Sequence, residues 1–469
     1  MRHEPKRWST RALITGAVGS AALAALSLGA SAGAASSTPN DLNFTPITSN
    51  ALPCSASGFP LFANDKHGNP IMPALLMQAG DATTTVNPPG NTGTVGPNND
   101  MIAESPDGRF LFTPSENAPS GGITRLTLKG PDTGKEETLA KGPWNDLDGM
   151  KWYTPSGMLL ASEENDTGGI WQVDPDTGEF HRLDWLGSFA HEGVGLDAAG
   201  NLYIGDENRG GAIYKGVPND VHDLMQGGTL YYLVGTGIDP TGWKQVPVDH
   251  LADARPTAIA GGAILFDRPE DFDEANGLVY FAVTEPKGEA DTHTGAAGQV
   301  VNQGGVYVLT TSGVPNLSTQ SGPNVPYTKL TPMITLNDPT YASAADAQAQ
   351  QGLQFPDNLA FDKLGHLWVH EDIPDGSTFP PTGFDVTKQV RNQQDELYVF
   401  VLNAAGDAIV PNPDPTGPGV SGGYKAADMR TGAGASACAN EFTGGIFDGQ
   451  TLYINQQHGS NPTLSARIG

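Results

Sequence analysis

The chain has 469 residues, with 52 Asp and Glu against 25 Lys and Arg, so its formal net charge at pH 7 is −27. A surface this acidic repels the phosphates of DNA and RNA, which excludes a nucleic acid as partner. The length is sufficient for one large hydrophobic core. The 60 Gly and 37 Pro residues are also compatible with disorder, but the regular alternation of apolar and polar residues favours a folded chain.

The first 34 residues have the pattern of a signal peptide. Basic residues at positions 2, 6, 7 and 11 precede the apolar run ALITGAVGSAALAALSLGA, and small residues at 30–34 offer cleavage sites. A transmembrane anchor is the alternative, but Gly and Ser dilute the run and no basic stop-transfer segment follows it. We therefore expect a signal peptide over 1–34, a linker over 35–49 and one domain over 50–469. The mature protein should be extracytoplasmic, without stable membrane insertion, and the partial twin-arginine pair Lys6-Arg7 leaves the export route open.

The rest of the chain repeats one unit: an apolar alternating strand, a turn with Gly, and a second alternating strand that ends in acids. This alternation between Gly, Asp and Asn turns predicts consecutive antiparallel strands. A repeated unit of roughly 40–50 residues with about four short strands is typical of a β-propeller blade. We therefore predict an all-β fold, a β-propeller of about five or six blades with loop and short-helix insertions. The copies lie at 104–117, 153–165, 196–208, 272–286, 361–372 and 445–459, with turn glycines Gly108, Gly157, Gly200, Gly277, Gly365 and Gly449.

The repeats carry acids at two recurring places, after the second apolar strand and before the first. Because equivalent positions of propeller blades lie on a ring about one axis, the repeat should gather carboxylates that are far apart in sequence. The alternative is that these acids are isolated surface residues. Their recurrence at the same position relative to the strand in each repeat disfavours this alternative. The residues after the second strand are Glu116, Glu163, Glu164, Glu207, Glu285 and Glu371, and those before the first are Glu192, Glu270, Asp357 with Asn358, and Glu441.

Clustered carboxylates predict a cation site. They cannot all remain ionised without positive charge nearby, and oxygen ligands suit hard ions such as Ca²⁺. The acids of the segment NDLDG (145–149) are interpreted only as turn residues.

The segment Arg268-Pro269-Glu270-Asp271 stands directly before a predicted strand. Arg268 and Glu270 are two residues apart, so on an extended backbone they face the same side. A guanidinium fork beside a metal-binding glutamate can clamp a phosphate or a carboxylate. A local ion pair between the two residues is the alternative.

The two cysteines, Cys54 and Cys438, lie at opposite ends of the predicted domain. An isolated pair in an exported chain most simply forms one disulfide. This bridge would tie the N-terminal strand to the last blade, with a stabilisation of roughly 2–4 kcal/mol. A metal-binding thiolate pair is the alternative, but neither cysteine has Cys or His neighbours in sequence.

The same motifs carry a family resemblance. AHEGVGLDAAGNLYIGDEN, RPEDFD with GLVYFAVTE, PDNLAFDKLGHLWVHED and NEFTGGIFDGQTLYINQQH resemble the PhoX alkaline phosphatases over about residues 140–460. Those proteins are secreted phosphomonoesterases on a β-propeller with a mixed iron–calcium cluster. The resemblance implies hydrolysis of small phosphate esters by a monomer, with Arg268 and Glu270 catalytic and Arg268 clamping phosphate. It also implies several Ca²⁺ ions and Fe³⁺, with the metal ligands Glu163, Glu164, Glu192, Glu207, Glu270, Asp271, Asp357, Asn358, Glu371 and Glu441.

One residue departs from the family pattern. The family has a cysteine ligand of iron directly before its paired glutamates, whereas this chain has Ser162 before Glu163 and Glu164. A neutral hydroxyl is a poor iron ligand beside a thiolate, so Fe³⁺ is less well supported than Ca²⁺. Two alternatives to a phosphatase follow: a lactonase-type hydrolase with a single axial Ca²⁺, and a calcium-stabilised propeller without catalysis.

Overall fold

Six sheets of four or more strands build the part of the chain that the structure describes. This computed structural model describes residues 42–47, 60–78, 84–85, 95, 98–117, 121–284, 301–302, 304–310, 329–335, 353, 355–372, 396–410, 423–428, 441–457 and 462–468. Each sheet is formed mainly by consecutive strands, and its first long strand packs against the first strands of the sheets before and after it. The arrangement is a β-propeller, which confirms the predicted all-β fold.

We number the sheets as blades 1 to 6 and call the first strand of each the inner strand. Blade 1 contains Ala103–Glu104, Phe110–Ser115, Gly122–Thr127, Glu136–Lys141 and Thr84–Thr85, and blade 2 contains Leu147–Tyr153, Met158–Glu163, Ile170–Val173 and Phe180–Arg182. Blade 3 contains His191–Leu196, Leu202–Asp206, Arg209–Pro218, Gly228–Thr236 and Asp239–Gln245, and blade 4 contains Pro269–Ala275, Leu278–Val283, Gly305–Thr310 and Lys329–Thr335. Blade 5 contains Pro356–Phe361, Leu367–Glu371, Glu396–Phe400, Tyr424–Asp428 and Leu61–Phe62, and blade 6 contains Glu441–Asp448, Thr451–Gln457, Pro462–Arg467 and Ala74–Gln78.

A few elements lie beside this pattern. Leu265–Asp267 pairs with the third strand of blade 3 and with Val301–Asn302, and Phe44–Thr45 pairs with Asn64–Asp65. The helices among the described residues are the 3₁₀ segments Asp184–Leu186, Leu224–Gln226 and Val248–Asp253 and the α-helix Ala254–Ala260. Within the described part of the chain, none of the helices has the length and apolar character needed to span a bilayer.

The turn between the first two strands of each blade contains the glycine that the repeat predicts. Gly108, Gly157, Gly200, Gly277, Gly365 and Gly449 all have φ between 63° and 80°. This left-handed region strains residues that carry a Cβ atom but not glycine. The glycines therefore fix the short hairpins that define the blades.

The hydrophobic core lies between the blades. Six clusters of buried side chains each join two neighbouring blades among the described residues. In the second strand of blade 4, Tyr280 and Ala282 pack towards blade 5, whereas Val279, Phe281 and Val283 pack towards blade 3. Successive residues of a strand point to opposite faces, so apolar residues on both faces of this strand are what a blade between two others requires.

An N-terminal strand completes the last blade. Ala74–Gln78 pairs antiparallel with Pro462–Arg467, and Leu61–Phe62 similarly extends blade 5 by pairing with Tyr424–Asp428. Backbone hydrogen bonds thus join the segment 61–78 to the C-terminal blades. Cys54 and Cys438 lie outside the described residues, so their disulfide stays a prediction, as does the signal peptide.

Candidate metal site

The inner strands place a carboxylate at one recurring position. In blades 2 to 5 the second residue of the strand is acidic, and the strand register shifts directly after the first residue. In blade 1, Asp100 likewise follows Asn99, which forms a bridge with Ser115. β-Bulges of this kind bend a strand and re-aim a side chain. We call these residues the inner-strand acids: Asp100, Asp148, Glu192, Glu270 and Asp357.

A second set of side chains comes from the residue directly after the second strand of a blade. In blades 1 to 5 its backbone N–H donates to the carbonyl oxygen two residues before the inner-strand acid, at 2.9–3.0 Å. The repeated hydrogen bond makes these residues structurally equivalent. We call them the second-strand set: Glu116, Glu164, Glu207, Thr284 and Asp372.

The residues that accept these hydrogen bonds include strained ones. Asp146, Arg268 and Phe355 have φ of 51°, 60° and 44°, a region that costs a non-glycine residue about 1–3 kcal/mol. All three stand two residues before an inner-strand acid. Backbone strain repeated at one position of several blades is characteristic of a functional site.

The carboxylates of both sets form groups with the geometry of a cation site. Candidate ligand oxygens of Asp100, Glu116 and Asp148 lie within 4.8 Å of one another, and so do those of Asp148, Glu164 and Glu192. Asp148 belongs to both groups. Asp100 Oδ1, Asp148 Oδ1 and Glu192 Oε2 are buried without a hydrogen-bond partner among the described residues. Buried oxygens of this kind need a proton or a cation.

Electrostatics distinguishes these acids from ordinary ones. Burial, followed by repulsion between neighbouring carboxylates, raises the pKa of these acids well above the ordinary values, although Arg268 opposes the rise at Glu270 and Asp357. Without cations these acids therefore keep their protons to a higher pH than ordinary carboxyl groups do. A divalent cation would favour the ionised forms. The affected acids are Asp100, Asp148, Glu164, Glu192, Glu270 and Asp357.

Arg268 brings positive charge into the carboxylate cluster. Its Nε and Nη2 donate to Glu207 Oε1 at 2.9 and 2.6 Å, and Nη2 lies 3.1 Å from Glu270 Oε1. Burial alone would raise the pKa of Glu207, but the Arg268 guanidinium, a hydrogen bond with Glu164 and the charge of Arg209 together leave that pKa below its ordinary value. Nη1 lies 3.9 Å from Asp372 Oδ2, which is beyond hydrogen-bond distance. The fork therefore has a donor available for another anion.

Glu163 and Glu371 occupy positions that face away from the cluster. Glu163 pairs with Leu147 in the sheet, and its carboxylate accepts from the Asn145 N–H at 3.2 Å and from Trp171 Nε1 at 2.7 Å. Glu371 Oε2 accepts from the backbone N–H of Glu396 at 3.0 Å. A shift of one residue along a strand moves a side chain to the opposite face, so the next residues, Glu164 and Asp372, join the cluster instead.

The other predicted ligands have different surroundings. Asp271 accepts from the Phe272 N–H at 2.6 Å and the Leu359 N–H at 2.9 Å. Asn358 Oδ1 accepts from the Gly444 N–H at 2.7 Å. Glu441 pairs with Gln457 through its backbone, and its side chain lies outside the description, as does Glu285. The structure thus brings together Glu164, Glu192, Glu207, Glu270 and Asp357 of the predicted ligands.

Asp100 and Asp148 join the site without having been predicted as ligands. The sequence interpretation makes Asp148 a turn residue, yet LDG (147–149) places it at the start of its strand as HEG (191–193) places Glu192. The sequence NND provides the same signal for Asp100. Ser162 is fully buried, and its hydroxyl donates to the Glu192 carbonyl oxygen at 2.6 Å.

Comparisons with known proteins agree with the fold. The family described as "Alkaline phosphatase PhoX" matches residues 136–460. The structure of Pseudomonas fluorescens PhoX in complex with vanadate, a transition state analogue, is 17% identical, with a TM-score of 0.57 over 91% of this chain and 97% of that one. A gluconolactonase from Xanthomonas campestris is 11% identical, with a TM-score of 0.44 over 90% of this chain and 99% of that one. None of the curated protein sequences matches significantly.

Proposed function

This chain belongs to the alkaline phosphatase PhoX family, and from that premise we propose how its carboxylate cluster hydrolyses phosphomonoesters. Family membership makes it a phosphoric monoester hydrolase that depends on metal. The observation that supports a site on the inner strands is the sharing of Asp148 by two groups of carboxylates. The substrates that we propose are small phosphate esters.

We assign calcium to this site. The two groups offer only carboxylate oxygens, the ligands that Ca²⁺ prefers, and unpartnered buried oxygens are present in both. Asp100, Glu116 and Asp148 would hold one ion, and Asp148, Glu164 and Glu192 a second. Bound calcium would supply neutralisation of the phosphate charge and polarisation of the phosphorus centre.

Ser162 does not fit an iron ligand. Its hydroxyl donates a hydrogen bond to the carbonyl oxygen of Glu192. A neutral hydroxyl is also a much poorer iron ligand than a cysteine thiolate. The residue instead fastens blade 2 to the inner strand of blade 3. We therefore derive no step through iron.

Arg268 is the phosphate clamp in this proposal. Glu207 and Glu270 hold one edge of its guanidinium, while Nη1 has no partner within hydrogen-bond distance among the described residues. Phosphate oxygens suit this fork because it donates in a fixed plane. As charge develops on the transferring phosphoryl group, the guanidinium stabilises it. Glu270 acts by orienting the arginine, and its position in the cluster also suits a metal ligand.

The test is hydrolysis of p-nitrophenyl phosphate by the purified mature protein, with excess Ca²⁺ or with a chelator. We expect chelator-sensitive turnover, and a loss of about 100- to 1,000-fold in kcat for Arg268→Ala. Arg125→Ala is the matched control, because Arg125 forms an ion pair of 2.8 Å with Glu137 on blade 1. Glu270→Ala should lower both turnover and bound calcium.

Several outcomes would overturn the proposal. Unchanged turnover and unchanged calcium content in Glu270→Ala would remove the role of that residue. A wild-type protein that hydrolyses no phosphomonoester, while calcium still raises its melting temperature, would indicate a binding propeller. Turnover of lactones with a single bound calcium would indicate the lactonase alternative.

We also propose export and a monomeric state. The basic and apolar pattern of residues 1–34 supports cleavage of a signal peptide. N-terminal sequencing of the protein from culture medium tests the cleavage, and light scattering tests the monomer. An N-terminus at Met1, or a larger particle, would contradict these expectations.

A further inference from the structure

Blade 4 departs from the other blades at the second-strand position. Blades 1, 2, 3 and 5 have a carboxylate there, whereas blade 4 has Thr284. The equivalence does not depend on sequence alone, because the Thr284 N–H donates to the Arg268 carbonyl oxygen at 3.0 Å as its counterparts do in the other blades. This blade therefore combines an arginine with a neutral residue where its neighbours add negative charge.

Thr284 contacts the inner-strand acid of its own blade. It is 1% exposed, and its hydroxyl lies 2.7 Å from Glu270 Oε1 and 3.0 Å from the Pro356 carbonyl oxygen. A hydroxyl has one proton, and the carboxylate is the closer and stronger acceptor. Thr284 thus donates to Glu270.

The same oxygen of Glu270 also faces Arg268. Arg268 Nη2 lies 3.1 Å from Glu270 Oε1, so the threonine and the arginine approach one carboxylate oxygen together. The threonine therefore fixes the Glu270 side chain against which the guanidinium rests. A carboxylate at position 284 would place a further negative charge beside Arg268, where it would compete with the substrate for the guanidinium.

We infer that Thr284 is a positioning residue that keeps the Arg268 fork directed at an anionic substrate, and that it makes blade 4 the side of the cluster that accepts a phosphate group. The inference rests on the proposed phosphatase function. The proposed role requires a hydroxyl at position 284 that donates a hydrogen bond to Glu270. It also requires an uncharged side chain there, so that Arg268 binds the anionic substrate and not residue 284. Serine satisfies both requirements, valine only the second, and aspartate brings the charge that the site excludes.

The experiment compares Thr284→Ser, Thr284→Val and Thr284→Asp with the wild-type protein. The readouts are kcat and KM for p-nitrophenyl phosphate, inhibition by inorganic phosphate, and the calcium-induced rise in melting temperature. Thr284→Val should raise KM and weaken phosphate inhibition by about tenfold or more, because a hydrogen bond to a charged acceptor is lost. Thr284→Ser should stay within about threefold of wild type, and Thr284→Asp should abolish phosphate inhibition.

Ser105→Ala is the matched control, since it deletes a hydroxyl that donates to the carboxylate of Asp107 at 2.7 Å, outside the site. Its kinetic constants should equal those of wild type. Wild-type constants in Thr284→Val, or equal damage in Thr284→Ser and Thr284→Val, would overturn the inference. If the wild type does not turn over phosphomonoesters, the proposed function fails, and phosphate binding by calorimetry decides on Thr284. Loss of phosphate binding in Thr284→Val but not in Thr284→Ser would support the role of Thr284. Unchanged phosphate binding in Thr284→Val, or no phosphate binding by the wild-type protein, would refute it.

Discussion

The two ends of the inner strands differ in how their acids are compensated. At the start of the strands, Arg268 forms ion pairs with one inner-strand acid, Glu270, and with one member of the second-strand set, Glu207. Further along, Lys151 Nζ lies 2.8 Å from Asp273 Oδ1 and 2.9 Å from Glu274 Oε2, beside a cavity of about 250 Å³. Burial would lower the pKa of Lys151, but the two acids outweigh it and hold that pKa above its ordinary value.

This difference separates acids whose charge the protein compensates from acids that we propose to bind cations. Lys151 joins blade 2 to blade 4. The inner strand of blade 3 lies close to blade 4 as well, since a Cβ atom on Gly193 would lie 2.3 Å from Asp271 Oδ1. At that end, Lys151 compensates the charge of Asp273 and Glu274. The acids at the start of the strands exceed what one arginine can neutralise, so they need either protons or bound cations to balance their charge.

The largest effect is expected for Asp148→Asn, because Asp148 belongs to both carboxylate groups. Activity should fall about 100-fold or more, since loss of even an outer partner of a metal site costs up to that factor. The calcium-induced rise in melting temperature should also disappear. Asp273→Asn, at the opposite end, is the matched control and should keep the full calcium response. A response that survives in Asp148→Asn would exclude Asp148 as a shared ligand.

Removal of calcium should make the stability of the protein fall as the pH rises. The folded-state pKa of Asp100, Asp148 and Glu192 is raised above the ordinary values of 3.8 and 4.5, so the chelated fold retains protons that the unfolded chain has lost. The stabilisation that these protonated carboxyl groups give the fold is fully present below those ordinary pKa values. It is lost as the pH rises through the folded-state pKa. Each such group should destabilise the chelated protein by about 1.4 kcal/mol per pH unit in that window.

Chemical denaturation at pH 5, 6, 7 and 8 measures this slope with chelator and with calcium. Calcium favours the ionised carboxylates and should flatten the slope. Equal slopes under both conditions would contradict the assignment of these acids to a cation site.

A smaller effect is expected from Lys151→Met at the compensated end. The substitution leaves Asp273 and Glu274 without their lysine, and the pair is partly exposed, with 20% exposure for the lysine side chain and 21% for Asp273. We expect a loss of about 1–3 kcal/mol in the free energy of unfolding, between the values for surface and buried pairs. Lys129→Met, in the exposed pair with Asp448, should lower the free energy of unfolding less than Lys151→Met does, because solvent screens exposed ion pairs. An altered calcium response in Lys151→Met would show that the two ends are coupled.

The fold was predictable from the sequence because its determinants are local. Alternation of apolar residues and the turn glycines, such as Gly200 with φ of 79°, specify hairpins without reference to distant residues. The ring of acids followed from the repeat. The clustering of Glu192 and Glu270 is therefore accessible from the sequence, although the two residues are far apart in it.

The sequence did not predict at which residue the second strand of a blade ends, and so which of two adjacent residues faces the cluster. Glu163 and Glu164 are adjacent acids, and only the register Leu147↔Glu163 shows which of them remains in the sheet. The same holds for Glu371, whose register partner is Pro356. The alternation of apolar and polar residues does not predict the bulges that re-aim Asp148 and its counterparts, because a bulge interrupts that alternation.

The smallest effect is expected for Glu163→Gln, compared with Glu164→Gln as its neighbour. The amide oxygen of a glutamine at 163 can still accept from Trp171 Nε1, which now donates to the carboxylate at 2.7 Å, so stability should change by about 1 kcal/mol or less. Calcium affinity should be unchanged. At 164 the same change removes a charged oxygen from a candidate group and should weaken calcium binding by about tenfold or more. Calcium titration by calorimetry distinguishes the two, and a larger loss at 163 than at 164 would reverse the phase assigned to the strand.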